Sequence, residues 1–179
     1  MSKSIRQVTK RTPLTVGVFQ DQSAEEINSI IVSTGIDLVQ LHGHEPPEFI
    51  DLIHAPCIKV LHISSTAEEV AKDEDLSSIA SLYSSRAVAL LLDTKTKGSS
   101  GGTGVTFDWN VVERIDMPVL LAGGLHEGNI LEALKVKGIV GVDASSGLEM
   151  NPKLSPGRKD IVKLRNYVRL IRKSPATLS

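Results

Sequence analysis

Three glycine-rich segments each follow a short apolar run and could hold an anion. They are Gly101, Gly102 and Gly104, then Gly123 and Gly124, and then Ser145, Ser146 and Gly147. Glycines between a strand and a helix let backbone N–H groups approach an anion closely, and the helix dipole favours negative charge. A single segment of this kind is more often only a tight turn. Three in succession predict phosphate binding.

Two carboxyl groups stand at the ends of apolar runs. Asp93 follows four apolar residues, and Asp143 directly follows the last run. A carboxyl group at a strand tip, over a partly apolar site, can have its pKa raised and act as a general acid. The alternative for each is a loop acid that caps a turn. The functional role open to Asp143 is orienting the substrate or forming a hydrogen bond to it.

Gln40 and His42 lie at the end of the second run, where strand alternation places their side chains on one face. This position favours His42 as a site residue over a purely structural histidine. The spacing of His44, His54, His62 and His126 matches no metal-ligand pattern, so no metal site is predicted. Cys57 precedes a strand on the face opposite the site and is predicted to be a buried thiol.

Six apolar runs predict the strands that position these side chains. Their nearly continuous apolar character is typical of strands buried on both faces. The runs are Thr15–Phe19, Asp37–Leu41, Ile58–His62, Ala87–Leu92, Pro118–Ala122 and Ile139–Val142. Helices are predicted at Ala24–Ser33, Pro47–Ile53, Leu76–Ser84, Trp109–Ile115, Glu127–Val136 and Ile161–Arg172. Ser23 and Asp108 are predicted N-caps, and Gly35 and Gly138 are predicted to end helices.

Six β-then-α units imply an α/β fold with a parallel sheet and right-handed crossovers. Two architectures fit, an open doubly wound sheet and part of a (β/α)8 barrel. In a barrel, phosphate commonly sits after the seventh and eighth strands, which would be the last two runs here. The 179 residues predict a single domain, with an irregular N-terminus at 1–14 and a frayed tail at 174–179.

Charge and cysteine content restrict the partners and the compartment. The net charge of −1 argues against nucleic acid or an anionic membrane as the main partner, since both require clustered Lys and Arg. One cysteine excludes an internal disulfide and suits a reducing compartment. The sequence has neither an apolar signal region nor a run long enough to span a membrane. The expected location is the cytoplasm.

Taken together, the motifs resemble the phosphoribosylanthranilate isomerase family of tryptophan biosynthesis. They are VGVF (16–19), VQLHG (39–43), LLD followed by GGTG and FDW (91–109), LAGGL (121–125), GVDASSGLE (141–149) and PGRKD (156–160). They occur in the family's order and cover nearly everything from Thr15 to Arg172. The insert-bearing loops look more like the fungal branch, where this isomerase can be the C-terminal part of a multifunctional chain.

The resemblance implies a (β/α)8 barrel and a small phosphosugar substrate, with no metal or organic cofactor. The implied reaction is the Amadori rearrangement of N-(5-phosphoribosyl)anthranilate to 1-(2-carboxyphenylamino)-1-deoxyribulose 5-phosphate. Asp93 matches the family's general acid, and Gln40, His42 and Asp143 match residues that line the substrate pocket. The residues that match the phosphate loops are Gly102, Gly123, Gly124, Ser145 and Ser146.

The chain also departs from the family pattern. The family opens with a strand reading roughly K-x-C-G, whose cysteine is the general base, and the six runs here resemble strands three to eight. Cys57 matches the fifth-strand region, so it is not that base. Arg6 resembles a contact for the anthranilate carboxylate. The resemblance therefore implies an incomplete barrel whose first two strands are missing, with low stability and activity.

Two other functions compete with the isomerase. The first is a non-catalytic phosphosugar-binding relic that keeps the phosphate loops without the base. The second is indole-glycerol-phosphate synthase, another tryptophan-pathway barrel. That enzyme relies on lysine and glutamate at its strand ends, whereas these strand ends carry Asp, His and Gly.

Overall fold

The computed structural model describes residues 13–64, 76–95, 107–151, 154–155 and 157–174. Within these ranges it contains six parallel strands in one sheet. They are β1 (Val16–Phe19), β2 (Leu38–Leu41), β3 (Cys57–Ser64), β4 (Ala89–Lys95), β5 (Val119–Leu121) and β6 (Ile139–Val142). The six predicted strands are confirmed, with small shifts of their end points.

Helices follow the strands, as the sequence predicts. The described ranges contain the α-helices α1 (Ala24–Thr34), α2 (Leu76–Tyr83), α3 (Ile130–Ala133) and α4 (Ile161–Lys173). They also contain 3₁₀ helices at Pro47–Leu52, Trp109–Arg114 and Ser146–Leu148. The chain therefore alternates strand and helix, which is the pattern of a parallel α/β fold.

Three of the four predicted caps are present, whereas the helix before Gly138 ends at Ala133 with Leu134 as its C-cap. Ser23 and Glu26 form a reciprocal capping box at the start of α1, in which the Ser23 hydroxyl accepts from the Glu26 backbone N–H. Asp108 accepts a hydrogen bond from the Asn110 backbone N–H in the same way. Gly35 ends α1 in the left-handed conformation, with φ of 67°. These caps satisfy backbone groups that a helix end otherwise leaves unpaired.

Three predicted helices were wrong in type or length. The helices predicted at Pro47–Ile53 and Trp109–Ile115 are 3₁₀ helices of six residues. Each stretch is too short to offset the cost of starting an α-helix, so the tighter helix replaces it. The helix predicted at Glu127–Val136 shortens to α3, because the Asn129 carboxamide accepts from the His126 N–H and turns the chain before Ile130.

The sheet has two apolar faces, which we call the inner and the outer face. The inner face carries Ile58, Val60, Ala89, Leu91 and Ala122. The outer face carries Val39, Leu41, Leu90, Leu92 and Leu121, which pack in one cluster with helix residues such as Ile27 and Ala80. Burial on both faces explains why the strands read as nearly continuous apolar runs.

A buried ion pair lies on the outer face, where Lys59 near the start of β3 pairs in register with Leu41 at the carboxyl end of β2. The Lys59 ammonium group donates to Glu45 Oε2 over 2.6 Å and to the Gly43 carbonyl over 2.7 Å, and both charged side chains are 3% exposed. Glu45 Oε1 accepts from the backbone N–H groups of Asp21 and Gly43. The pair therefore ties the loop after β1 to the loop after β2.

The strand order distinguishes the two architectures that fit the sequence. The order is β1-β2-β3-β4-β5-β6, so every strand pairs with its neighbours in the chain and the order never reverses. A doubly wound sheet reverses at a switch point, whereas consecutive order is that of a barrel wall. Among the described residues, β1 and β6 are the sheet edges, and Val16 and Val18 on β1 are 42% and 62% exposed. None of the helices in the described ranges is long and apolar enough to cross a membrane.

Candidate active site

The chemistry-bearing side chains gather at the carboxyl end of the sheet, on the inner face. Asp93 lies near the end of β4, and Asp143 directly follows β6, where its backbone N–H donates to the Leu121 carbonyl over 2.8 Å. Gln40 and His42 come from the end of β2. His42 Nε2 lies 3.9 Å from Asp93 Oδ2, and the two side chains are 31% and 27% exposed. The structure thus brings together four of the predicted site residues.

His42 is held as a neutral imidazole. Its pKa is lowered, first by burial and then by the nearby His62 and Lys59, although the carboxylates of Asp93 and Glu45 oppose the shift. Gln40 Nε2 lies 3.3 Å from His42 Nδ1. If the Gln40 amide donates there, Nδ1 is the acceptor and Nε2 carries the hydrogen, which then faces Asp93.

The surroundings of Asp143 raise the pKa of its carboxyl group. Although the residue is exposed, surrounding protein atoms displace part of the water around its carboxyl group, and this raises its pKa first. The Asp93 carboxylate raises the pKa further, while His42 and Lys159 act in the opposite direction. Two carboxyl groups in different environments are the usual arrangement by which one site separates acid and anion roles.

The loop after β5 packs directly against the end of β4. Gly123 and Gly124 have φ of 80° and 66°, a left-handed conformation that residues with a Cβ rarely adopt. A Cβ on Gly123 would collide with the Thr94 backbone nitrogen and hydroxyl group. The backbones at Gly123 and Thr94 therefore approach so closely that position 123 requires glycine. Thr94 directly follows Asp93 in the chain.

The loop after β6 carries a cation that the sequence analysis did not select. Lys159 Nζ donates to the Ser145 carbonyl and to the Ser145 hydroxyl, each over 2.9 Å, and lies 3.2 Å from Glu149 Oε1. A Cβ on Gly147 would collide with the Leu125 carbonyl oxygen, so this loop lies against the loop after β5. The PGRKD segment, already noted as a motif, was the signal that could have identified Lys159.

His62 is a second residue that the sequence analysis did not place in the site. It lies on β3 opposite Asp93 in the parallel register, and its ring packs edge-on against His42 with 5.0 Å between ring centroids. Its Nε2 lies 3.4 Å from the His42 carbonyl oxygen. Strand alternation from Ile58 and Val60 puts His62 on the inner face, and this was the available signal.

Some predicted residues lie elsewhere or cannot be placed. Arg6 and Gly102 fall outside the described residues, as do Gly101 and Gly104. Cys57 begins β3 on the outer face and is fully buried, as predicted, and burial raises the pKa of its thiol to about 11. A thiol that stays protonated and faces the helices cannot act as a base at the site.

Comparisons with known proteins agree with this geometry. The family described as N-(5′-phosphoribosyl)anthranilate (PRA) isomerase matches residues 1–170. The chain is 41% identical over 172 residues to the tryptophan biosynthesis protein TRP1 of Phytophthora nicotianae, covering 94% of this chain and 32% of that protein. It is 36% identical to the N-(5′-phosphoribosyl)anthranilate isomerase of Dehalococcoides mccartyi, covering 89% of this chain and 71% of the other.

A multifunctional relative and two solved structures extend the comparison. The multifunctional tryptophan biosynthesis protein of Schizosaccharomyces pombe is 36% identical over 160 residues, 89% of this chain and 19% of that protein. The phosphoribosyl anthranilate isomerase of Thermus thermophilus superposes with a TM-score of 0.69 at 28% identity, covering 96% of this chain and 78% of that chain. A second isomerase, in complex with reduced 1-(o-carboxyphenylamino)-1-deoxyribulose 5-phosphate, gives 0.70 at 25% identity and covers 96% and 77%.

Proposed function

The chain belongs to the N-(5′-phosphoribosyl)anthranilate isomerase family of tryptophan biosynthesis, and we propose that its site carries out the family's Amadori rearrangement. The substrate is N-(5-phosphoribosyl)anthranilate, and the product is 1-(2-carboxyphenylamino)-1-deoxyribulose 5-phosphate. The observation that carries this proposal is the convergence of Asp93 with the loops after β5 and β6 at one end of the sheet. The relatives are named as isomerases, which does not favour the non-catalytic relic.

The phosphate group binds between the loops after β5 and β6. Gly123 and Gly124 present backbone at close range, and Ser145 and Ser146 add N–H and hydroxyl donors. Lys159, already held against Ser145, contributes a positive charge beside this cradle. An anchored phosphate holds the sugar in a fixed position during the reaction. The entropy cost of orienting the sugar is then met when the substrate binds, which lowers the activation free energy.

Asp93 is the general acid. It protonates the ribose ring oxygen, the C1′–O bond breaks, and the anthranilate nitrogen lone pair completes a Schiff base at C1′. His42 lies beside Asp93, on the same inner face of the sheet. Because the pKa of His42 is lowered, its ring favours the neutral form, which forms no ion pair with the aspartate. Gln40 orients His42, and Asp143 forms hydrogen bonds to the sugar hydroxyl groups in this arrangement.

The second half of the reaction needs a general base that removes the C2′ proton to give an enolamine, which tautomerises to the ketone. In the family pattern this base is a cysteine, and the chain's single cysteine is buried on the outer face, so we infer that a group other than Cys57 supplies the base. We assign the six strands to positions three to eight of a (β/α)8 barrel, with the base on a strand that pairs at the β1–β6 opening. The family resemblance assigns Gly102 to the phosphate site and Arg6 to the anthranilate carboxylate, and both residues lie outside the described ranges.

The remaining assignments concern the whole chain. We assign residues 1–179 to one isomerase domain and its compartment to the cytoplasm. The predicted irregular stretch at 1–14 and tail at 174–179 lie almost entirely outside the described residues. The Schizosaccharomyces pombe relative, named as multifunctional, supports a place for this domain within a multifunctional tryptophan-pathway chain. No metal or organic cofactor takes part in the rearrangement.

An Asp93→Asn substitution tests the acid assignment. The assay follows anthranilate fluorescence with the complemented chain, meaning the 179-residue chain preceded by the N-terminal βαβ segment of the Dehalococcoides mccartyi isomerase. Because the carboxamide cannot donate a proton to the ring oxygen, turnover falls by roughly 10²–10⁴-fold. Binding of the reduced product analogue stays within about threefold, since Asn keeps the size of the side chain.

Asp51→Asn is the matched control, because Asp51 pairs with Arg86 on the surface and lies away from the strand ends. Its turnover should equal that of the unsubstituted protein. Near-normal turnover by Asp93→Asn would remove Asp93 from the mechanism. If the proposed base lies on the added segment, the 179-residue chain alone should turn over far more slowly than the complemented chain, and equal turnover would contradict that assignment.

A further inference from the structure

Two histidines and an aspartate from three adjacent strands lie close together at the carboxyl end of the sheet. One potential ligand atom each from His42, His62 and Asp93 lies within 4.8 Å of the other two. His42 and His62 are already in ring contact, and His42 Nε2 is 3.9 Å from Asp93 Oδ2. Along the chain these residues are 20 and 31 positions apart (42 to 62, 62 to 93), so no spacing motif marks them.

We propose that His42, His62 and Asp93 form a binding site for a transition-metal dication such as Zn²⁺, and that the bound metal blocks the isomerase site. The proposal goes beyond the isomerase reaction, which uses no metal. Its inhibitory part rests on the proposed function of Asp93, whereas its binding part does not.

The ligand types suit this class of ion. Two imidazole nitrogens and one carboxylate oxygen are ligands that Zn²⁺ prefers, and three protein ligands leave a fourth tetrahedral position for water. Bonds of about 2.0–2.2 Å place neighbouring ligand atoms about 3.3 Å apart. Closing from 4.8 Å needs only small rotations of side chains that are exposed or half-buried. Mg²⁺ and Ca²⁺ prefer oxygen ligands and fit this set poorly.

Gln40 can support the metal-bound state. In the present hydrogen bond its side-chain nitrogen faces His42 Nδ1, which leaves the hydrogen on Nε2. When Nε2 binds a metal, the hydrogen moves to Nδ1, and a rotated Gln40 amide accepts it through its oxygen. Such an outer partner fixes the tautomer and orientation of a ligating histidine. The neighbouring Asp143, which interacts electrostatically with Asp93 and His42, adds negative charge around the cation.

Metal binding removes the proposed general acid. A carboxylate that coordinates Zn²⁺ cannot hold the proton that the ribose ring oxygen must receive. The ion also occupies the space above the strand ends where the sugar would lie. Zn²⁺ therefore competes with the phosphosugar, and a chelator reverses the effect.

The binding test uses the full 179-residue chain and Zn²⁺ alone, with affinity measured by competition against a chromogenic zinc chelator. We expect one Zn²⁺ per chain, and at least about tenfold weaker binding by His62→Ala, which removes one of three ligands. His54→Ala is the matched control, because His54 is exposed at the opposite end of β3 and should leave affinity unchanged. Co²⁺ in place of Zn²⁺ reports coordination geometry by its visible absorption.

Equal Zn²⁺ affinity in His62→Ala and the unsubstituted chain would overturn the proposal, as would the absence of stoichiometric binding. Circular dichroism of each variant excludes loss of fold as the cause of weaker binding, and Asp93→Asn provides a second, independent ligand loss. In the complemented chain, the Zn²⁺ concentration for half-inhibition should rise at least tenfold in His62→Ala. Zn²⁺ binding without inhibition would support the metal site and contradict the proposal that the bound metal blocks the isomerase site.

Discussion

At the scale of single residues, Asp93 and Asp143 illustrate how one site can place two carboxyl groups in different surroundings. Asp143 sits among more protein atoms and feels the negative charge of Asp93, so its pKa is raised. In the proposed mechanism Asp93 transfers a proton, while Asp143 holds a sugar hydroxyl group. Two neighbouring carboxyl groups can both contact the substrate, but their mutual repulsion lowers the free energy of unfolding.

Asp143→Asn should therefore stabilise the protein at neutral pH. Asp143 has a raised folded-state pKa, so its favourable contribution is present below its unfolded pKa of about 3.9 and is lost as pH rises through the folded value. The gain in melting temperature from the substitution should be largest near pH 7 and vanish toward pH 3–4. Thermal unfolding across this pH range measures it. A gain of equal size at every pH would contradict the electrostatic explanation, and Asp51→Asn serves as the exposed control.

Sequence reasoning identified some of these residues and missed others for definite physical reasons. That Asp93, Gln40 and His42 lie together could be predicted, because strand ends and strand alternation are visible in the chain itself. His62 was missed because its significance depends on which strand lies next to β3 and in what register. Lys159 was missed because a long side chain reaches Ser145 from a separate segment, and only packing shows this.

At the scale of elements, the strands and caps were predictable, while short helices were not. Ser23 and Gly35 signal the ends of α1 by local chemistry alone. Whether Pro47–Leu52 forms an α-helix or a 3₁₀ helix depends on the space between β2 and β3, which no local signal encodes. The loop after β5 packs against the end of β4 at Gly123 and against the loop after β6 at Gly147.

Gly123→Ala should impair both stability and phosphate binding. The left-handed backbone costs a residue with a Cβ about 1–2 kcal/mol, and the collision with Thr94 adds to this cost and displaces the loop. Gly35→Ala is a matched control, since Gly35 has φ of 67° with nothing within 4 Å of the added Cβ. Urea denaturation should show a loss in both variants. Only Gly123→Ala should also weaken binding of the reduced product analogue, and equal binding by both would contradict the role of this loop.

The Lys59–Glu45 pair makes a separate prediction about the loops after β1 and β2. Lys59→Met leaves the Glu45 carboxylate buried without its cation, which should cost about 3–5 kcal/mol in the free energy of unfolding. The double change with Glu45→Leu should recover much of that loss. Lys135→Met, which breaks an exposed pair with Glu132, should cost no more than about 1 kcal/mol. Urea denaturation measures all three, and a small effect at Lys59 would show that water reaches the pair.

At the scale of the whole molecule, the described residues form one parallel sheet in consecutive order, with β1 and β6 at its edges. Val16 and Val18 lie on the inner face of the edge strand β1 and are exposed, whereas Ile58 and Val60 on the same face of the interior strand β3 are buried. The fold class was predictable because consecutive β-then-α units leave few topologies. Whether the units form a barrel wall or a doubly wound sheet could not be read from periodicity and required the strand order.

Val18→Ser tests the assignment of this face to a barrel interior. In the 179-residue chain Val18 is 62% exposed, so the substitution should change the free energy of unfolding by less than about 0.5 kcal/mol. In the complemented chain the added strand covers Val18, and the same change should cost roughly 1–3 kcal/mol. Val32→Ser, at 81% exposed on α1, should have a small effect in both. Equal effects of Val18→Ser in the two proteins would contradict the proposed closure.

The consecutive strand order has a consequence for how the chain acquires its structure. Each strand needs only the strand before it and the helix between them, so no early segment must wait for a distant one to be made. Contacts of short sequence separation carry a low loop-closure cost, and chains emerge from the ribosome N-terminus first. Such a sheet can grow by one βα unit at a time during synthesis, each finished edge serving as the template for the next strand.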